Sequence, residues 1–83
     1  MHHCLKTWPE YFKEIEAGRK TFELRKDDRG FQEGDTIVLQ EWSDKTFHTG
    51  QELVRRVSKI YRELPGLKQG YVIMALEEPD NLM

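Results

Sequence analysis

The chain has 83 residues and a formal net charge of −2, with 37% hydrophobic and 34% charged residues. This length is that of one domain, predicted here to span residues 1–83, and the nine aromatic residues argue against a disordered chain. The mildly acidic balance excludes a general polycation, so a role with nucleic acids would require a local basic patch.

Cysteine and histidine usage excludes two kinds of site. Cys4 is the single cysteine, so no internal disulfide can form, and we expect it to be a small buried hydrophobe. One cysteine and three histidines without repeated ligand spacing predict no metal site, and nothing in the sequence indicates a cofactor. The sequence has no signal peptide and no apolar run of the roughly 18–20 residues that a membrane span needs, so we expect a cytoplasmic protein without a membrane partner.

The N-terminal part of the chain predicts a strand followed by a helix. Residues 2–7 favour a short strand, and residues 8–17 carry apolar side chains at helical spacing. Thr7 and Glu10 have the spacing of a capping box at the start of this helix, and Gly18 is a typical helix stop.

Residues 21–25 alternate strictly between polar and apolar side chains, which predicts a half-buried strand. We expect Phe22 and Leu24 to face the core and Glu23 and Arg25 to lie on the other face. The simplest role for those two charged side chains is to pair with each other, which is worth about 0–1 kcal/mol when the pair is exposed.

The second half of the chain predicts further strands and a tail. Residues 36–42 and 71–76 favour strands, the latter well buried, and residues 43–51 favour a polar hairpin loop. Residues 77–83 are expected to form a loose tail.

Residues 52–64 are ambiguous. Their apolar side chains fit a helical period better than an alternating one, so periodicity favours a helix. A strand would need a bulge near Ser58 and Lys59 to keep Val57 and Ile60 on one side. Over the whole chain, the side chains expected in the core are Phe12, Ile15, Phe22, Leu24, Ile37, Leu39, Val57, Ile60, Val72, Met74 and Leu76.

Residues 18–25 read Gly-Arg-Lys-Thr-Phe-Glu-Leu-Arg. This segment resembles the G-x-K-x-x-E-x-R signature of the ASCH (ASC-1 homology) family. The flanking residues 5–12 and 25–35 are similar to those of a group of small ASCH-like proteins found in bacterial and phage genomes. The resemblance extends over nearly the whole chain. It implies an α+β, mainly β fold, namely a PUA-like small β-barrel with an N-terminal α-helix, in which residues 52–64 form a strand.

The resemblance also implies a function and a site. ASCH domains are regarded as binding RNA or a nucleotide-like ligand in a cleft beside the signature, which carries over here as Lys20, Glu23 and Arg25. Lys6 and Arg29 lie in the neighbouring segments and are expected at the edge of this cleft. Some ASCH-like proteins are hydrolases of acetylated cytidine or of RNA. This chain has Glu23 where the amidohydrolases have a threonine, and it lacks their helical insertion.

The residue types fit such a ligand. Lys20 and Arg25 can donate hydrogen bonds to a phosphate, and Glu23 can accept one from a base amino group. Residues three apart in a continuous strand face opposite sides. Lys20 can therefore share a cleft with Glu23 only if it precedes the strand.

Three functions remain open. The preferred one is a binding module for RNA or a nucleotide fragment. The second is a small hydrolase acting on a nucleoside or RNA, with Glu23 as general base and Lys20 stabilising the developing negative charge; any further catalytic residues are unknown. The third is a protein-interaction domain without a ligand. The oligomeric state is not predicted.

Overall fold

Five strands and one helix make up the fold in the computed structural model, which describes residues 1–79. In chain order the elements are β1 (His2–Thr7), α1 (Pro9–Glu16), β2 (Phe22–Lys26), β3 (Thr36–Ser43), β4 (Phe47–Tyr61) and β5 (Tyr71–Glu77). The strands form one sheet in the order β1-β3-β4-β5-β2, in which β1 and β3 run parallel and the other neighbours antiparallel. The predicted mainly β architecture with one N-terminal helix is confirmed.

The sheet curls into a half-barrel, and β4 changes partner along its length. It pairs with β3 up to Arg56, and from Arg56 onward it pairs with β5. A register shift between Val57 and Lys59 marks a β-bulge, which bends the strand at that point. β1 and β2 form the two edges of the sheet. Within residues 1–79 no backbone ladder joins these edges, so the predicted barrel is an open half-barrel.

Periodicity predicts a helix at residues 52–64, and this prediction is wrong. The segment belongs mostly to β4, in agreement with the strand that the family resemblance implies. The bulge at Ser58 explains the misleading period. An extra residue in the strand lets Val57 and Ile60 both reach the core although they are three positions apart. A three-residue spacing of apolar side chains is therefore shared by helices and bulged strands.

The turn between β3 and β4 is shorter than predicted. β3 runs to Ser43 and β4 begins at Phe47, so residues 44–46 connect them instead of the predicted loop of residues 43–51. The hydroxyl of Ser43 accepts a hydrogen bond from the backbone N–H of Thr46 across this turn.

The last strand, β5, alternates between buried and half-buried side chains, in line with the strand predicted for residues 71–76. It also includes Glu77, the first residue of the predicted loose tail, whose carboxylate accepts a hydrogen bond from Arg56 of β4. Residues 80–83 of that predicted tail lie outside the described residues.

The N-terminus of α1 does not have the predicted capping box. Thr7 is the last residue of β1, and its hydroxyl donates to the carbonyl oxygen of Leu5 at 3.4 Å. Trp8 stands at the N-cap position without a side-chain hydrogen bond to the helix, and Pro9 opens the first turn. Because proline has no N–H, it leaves one fewer backbone donor without a helical partner.

Gly18 ends α1, as predicted, with a φ of 80°. Its N–H donates to the carbonyl oxygen of Ile15, and the N–H of Arg19 donates to that of Glu14, which is the pattern of a Schellman motif. The N–H of Lys20 donates to the same Glu14 oxygen at 3.1 Å. The left-handed conformation that glycine allows therefore turns the chain, and Lys20 precedes β2 instead of belonging to it.

Most of the expected core is confirmed. The buried hydrophobic side chains are Leu5, Phe12, Ile15, Phe31, Ile37, Leu39, Val57, Val72, Met74 and Leu76. Leu5 and Phe31 were not in the predicted set, and Ile60 is only partly buried against the core.

The face of β2 that is turned toward the protein interior is the opposite of the one that its apolar residues predict. Phe22 is 45% and Leu24 51% exposed, whereas Glu23 is only 5% exposed. The prediction that Phe22 and Leu24 lie in the core is therefore wrong, because the strand buries its carboxylate instead. Cys4 also differs from expectation, since it lies on the exposed face of β1.

A buried polar pair joins β1 to the segment before β3. His3 Nε2 lies 2.8 Å from Asp35 Oδ2, which also accepts the N–H of Gln32 at 3.0 Å. The His3 ring packs edge-on against Phe31, with 4.7 Å between ring centroids. Burial by itself would raise the pKa of Asp35, but hydrogen bonds from His3, the Gln32 N–H and the Met1 ammonium group lower this pKa below its ordinary value of 3.8.

The orientation of β2 can be tested with two matched truncations. Leu39→Ala removes a fully buried side chain, so we expect it to lower the free energy of unfolding by about 2–5 kcal/mol. Leu24→Ala should lower it by less than about 1 kcal/mol, because the side chain is half exposed. Urea denaturation followed by tryptophan fluorescence measures both. Equal losses would contradict the observed facing of β2.

The His3–Asp35 pair predicts a stability difference that depends on pH. Because the folded-state pKa of Asp35 is lowered, its extra stability is present above the unfolded pKa and is lost as the pH falls through the folded value. Asp35→Asn should therefore cost about 1–3 kcal/mol near pH 6, and the difference from the wild type should shrink toward about pH 3. Urea denaturation at the two pH values measures this difference. The exposed Asp44→Asn is the control, and a difference for Asp35→Asn that does not change with pH would contradict the assignment.

Candidate functional site

A cleft of about 660 Å³ lies between the two edges of the half-barrel. Its walls come from the end of β1, the start of α1, β2 and the loop that follows β2. All five residues that the sequence singles out line this cleft: Lys6, Lys20, Glu23, Arg25 and Arg29. Residues far apart in the chain are thus brought to one concave surface by the placement of β1 and β2 at the sheet edges.

Glu23 is the centre of the charged wall of the cleft. Its Oε1 accepts a hydrogen bond from Lys20 Nζ at 3.1 Å, and its Oε2 accepts one from Arg25 Nε at 2.7 Å. Lys20 Nζ also donates to the carbonyl oxygen of Phe22 at 2.8 Å. A buried carboxylate is tolerated when opposite charges and hydrogen bonds offset its lost hydration, and Glu23 has both. The position of Lys20 before β2 makes this contact possible.

Two arginines join the edges of the sheet across the cleft. Arg25 Nη2 donates to the carbonyl oxygen of Lys6 at 2.5 Å, and Arg29 Nη1 donates to that of Cys4 at 2.8 Å. Both acceptors belong to the edge strand β1, whose backbone groups would otherwise need water or another strand. Guanidinium groups therefore bridge the gap that a backbone ladder would fill in a closed barrel.

The cleft is positively charged. Its lining contains the five basic side chains Lys6, Lys20, Arg25, Lys26 and Arg29 against the two acidic side chains Glu23 and Asp28, which gives a local charge of +3. The whole chain has a net charge of −2.

Several cationic donors stay available in this cleft. Arg25 uses two N–H groups for Glu23 and Lys6, which leaves three of its five donors for other partners. Lys20 uses two of its three donors, for Phe22 and Glu23.

Apolar side chains form the rim of the cleft. Lys20 Nζ lies 4.8 Å from the centroid of the Phe22 ring and 5.5 Å from that of Tyr11. These two rings, together with Trp8 and Leu24, are exposed while lining the cleft. Sequence reasoning missed Phe22 and Leu24 here because it placed them in the core. The same polar–apolar alternation of residues 21–25 would have predicted the observed orientation if Glu23 had been placed on the buried face.

The arrangement suits binding of an anionic or polar group more than proton transfer. Free N–H groups of Arg25 and Lys20 can donate hydrogen bonds to a phosphate or a carboxylate, and the rings at the rim can contact a flat ring of a ligand. Both oxygens of Glu23 already accept hydrogen bonds from cations.

The described part of the chain has neither a cluster of metal-binding side chains nor a membrane-spanning helix. Among residues 1–79 no group of three or more His, Cys, Asp or Glu side chains could hold a metal ion. In the same range no helix has the length and hydropathy to cross a membrane.

The hydrogen bonds of Glu23 with Lys20 and Arg25 predict that the protein loses stability when the charge of Glu23 is removed. Glu23→Gln should lower the free energy of unfolding by about 1–3 kcal/mol, because two cations lose their counter-charge and one amide N–H₂ faces a donor. Glu14→Gln, on the exposed side of α1, should change it by less than about 0.5 kcal/mol. Urea denaturation of both variants makes the comparison. Equal stability of Glu23→Gln and the wild type would show that the network contributes nothing.

Comparison with known proteins places the chain in a family. A family model described as "Domain of unknown function (DUF3850)" matches residues 2–76. The chain is also 33% identical over 72 residues to an "Uncharacterized 12.9 kDa protein in GpA 3'region" of Escherichia phage P2. That alignment covers 87% of this chain and 64% of the phage protein, so the chain spans less than two thirds of that relative. Because the family match covers nearly the whole chain, the protein belongs to the DUF3850 family.

Proposed function

We propose that this protein is a binding module for RNA or a nucleotide-like ligand, and that the ligand binds in the cleft between β1 and β2. The observation that carries the proposal is the local charge of +3 in a chain whose net charge is −2. Segregated positive charge of this kind attracts phosphate without making the whole molecule a polycation.

The shape of the cleft supports a ligand that has both a charged and a flat part. Arg25 and Lys20 offer free donors for a phosphate, while Tyr11, Phe22 and Trp8 offer exposed rings at the rim. Aromatic rings stack on nucleobases of any sequence, and cations beside them neutralise the backbone. A nucleotide combines these two features in one molecule.

We also propose that the half-barrel is a PUA-like domain of the ASCH type. The G-x-K-x-x-E-x-R segment at residues 18–25 supplies Lys20, Glu23 and Arg25, which line the cleft together. The mainly β half-barrel with one N-terminal helix is compatible with this assignment. A cytoplasmic location fits the function and stays a prediction.

A binding module is favoured over the hydrolase and over an interaction domain without a ligand. Lys20 and Arg25 already engage both oxygens of Glu23, which suits a fixed recognition group better than a general base. The interaction domain requires scattered, solvated charges, whereas these charges converge on one cleft.

Binding can be tested by titrating a fluorescein-labelled single-stranded RNA of about 10 nucleotides, a length within the usual range for small single-strand binding folds. We expect Lys20→Ala to weaken binding of all sequences. We also expect the slope of log Kd against log salt concentration to fall by about 0.7, the value for one phosphate contact with a single strand. Fluorescence anisotropy at several salt concentrations measures both quantities.

Lys13→Ala is the charge-matched control, because Lys13 is exposed on α1 and does not line the cleft. It should leave affinity and salt slope unchanged. The proposal fails if neither the RNA nor nucleoside monophosphates bind the wild type at low salt. Turnover of a nucleoside or RNA that Glu23→Gln abolishes, with ligand affinity retained, would instead support the hydrolase.

A further inference from the structure

An aromatic stripe leads from the cleft toward the β3–β4 turn. It consists of Trp8, Trp42 and Phe47. The ring centroids of Trp8 and Trp42 are 5.5 Å apart, and those of Trp42 and Phe47 are 6.4 Å apart, both in edge-to-face arrangements. Trp8 lines the cleft, whereas Phe47 begins β4 beyond the β3–β4 turn. The stripe is therefore continuous with the cleft and extends it to the tip of this hairpin.

Phe47 is an unusual residue at its position. Its side chain is 64% exposed, and its backbone has a φ of 58°, a left-handed conformation that is disfavoured for a bulky residue. Asparagine or glycine would adopt this conformation more readily. An exposed aromatic ring held in an unfavourable backbone conformation points to a role for the ring itself.

The positive charge of Lys6 beside the stripe indicates which kind of ligand the stripe contacts. Lys6 Nζ lies 4.7 Å from the centroid of the Trp42 ring, and Lys6 also lines the cleft. A cation beside the half-buried Trp42 ring, at the edge of a positively charged cleft, matches a strand of alternating bases and phosphates. A purely apolar peptide partner would gain nothing from Lys6 at this position.

We propose that the aromatic stripe binds the bases that flank the nucleotide in the cleft, so that the ligand is a single-stranded RNA of several nucleotides and not a free mononucleotide. This inference rests on the proposed function and specifies its ligand. In it, Trp42 and Phe47 stack bases, and Lys6 contacts the phosphate between the stripe and the cleft.

The test compares two probes on two variants. The probes are the labelled single-stranded RNA of about 10 nucleotides and adenosine 5′-monophosphate, the latter measured by competition or calorimetry. Phe47→Asn removes the ring and suits the left-handed backbone, so it should fold at least as stably as the wild type. We expect it to weaken RNA binding about fivefold or more and to leave mononucleotide affinity unchanged. Tyr61→Ala is the control, because Tyr61 is exposed on β4 and lines neither the cleft nor the stripe.

A second readout uses intrinsic fluorescence. The chain has two tryptophans, and both belong to the stripe. Stacked bases quench tryptophan emission, so the RNA should quench it more strongly than the mononucleotide at saturation.

The outcomes separate the two proposals. If the mononucleotide binds as tightly as the RNA, or if Phe47→Asn binds RNA like the wild type, the stripe does not bind bases, while the function of the cleft stands. If Phe47→Asn only lowers the urea midpoint, the stripe is a structural cluster that supports the hairpin. If neither probe binds the wild type, the proposed function fails, and this inference fails with it.

Discussion

The structure depends on the burial of one carboxylate, that of Glu23. A buried carboxylate is stable only with opposite charges beside it, and Lys20 and Arg25 supply them at 3.1 and 2.7 Å. This requirement fixes the facing of β2, because burying Glu23 turns Phe22 and Leu24 outward. It also fixes the end of α1, since Lys20 reaches Glu23 only from the turn that Gly18 creates.

The same network determines how the half-barrel is completed. Arg25 connects Glu23 of β2 to the backbone of β1, and Arg29 makes a second connection from the following loop. Side chains are longer than the spacing of paired strands, so a seam bridged by arginines stays wider than a backbone ladder. A cleft between β1 and β2 is the consequence, and the groups that hold the edges together also line it.

The position of the exposed aromatic residues around the cleft accounts for their exposure. In a small domain, apolar side chains that stay at the surface give up the stabilisation that burial provides. Trp8, Tyr11, Phe22 and Leu24 are exposed at the rim of the positively charged cleft, and Phe47 is exposed on the adjoining hairpin. The core is formed by buried side chains of α1, β1, β3, β4 and β5 together with Phe31, and α1 packs against β3. Leu5 and Phe31 belong both to this core and to the lining of the cleft, so the cleft lies directly against the core.

Local sequence signals predicted α1, the strands β1, β2, β3 and β5, most of the core and the charged residues of the cleft. Local signals carried this information: Gly18 ends a helix, and residues 36–42 and 71–76 favour strands. The facing of β2 was decided only by tertiary structure, since alternation shows that two faces differ but not which one is inside. The strand over residues 52–61 also needed a partner, because the bulge at Ser58 exists only against β5. Local sequence cannot specify that Glu23 faces inward, because Arg25 reaches the carbonyl oxygen of Lys6 in β1 only after the sheet has curled.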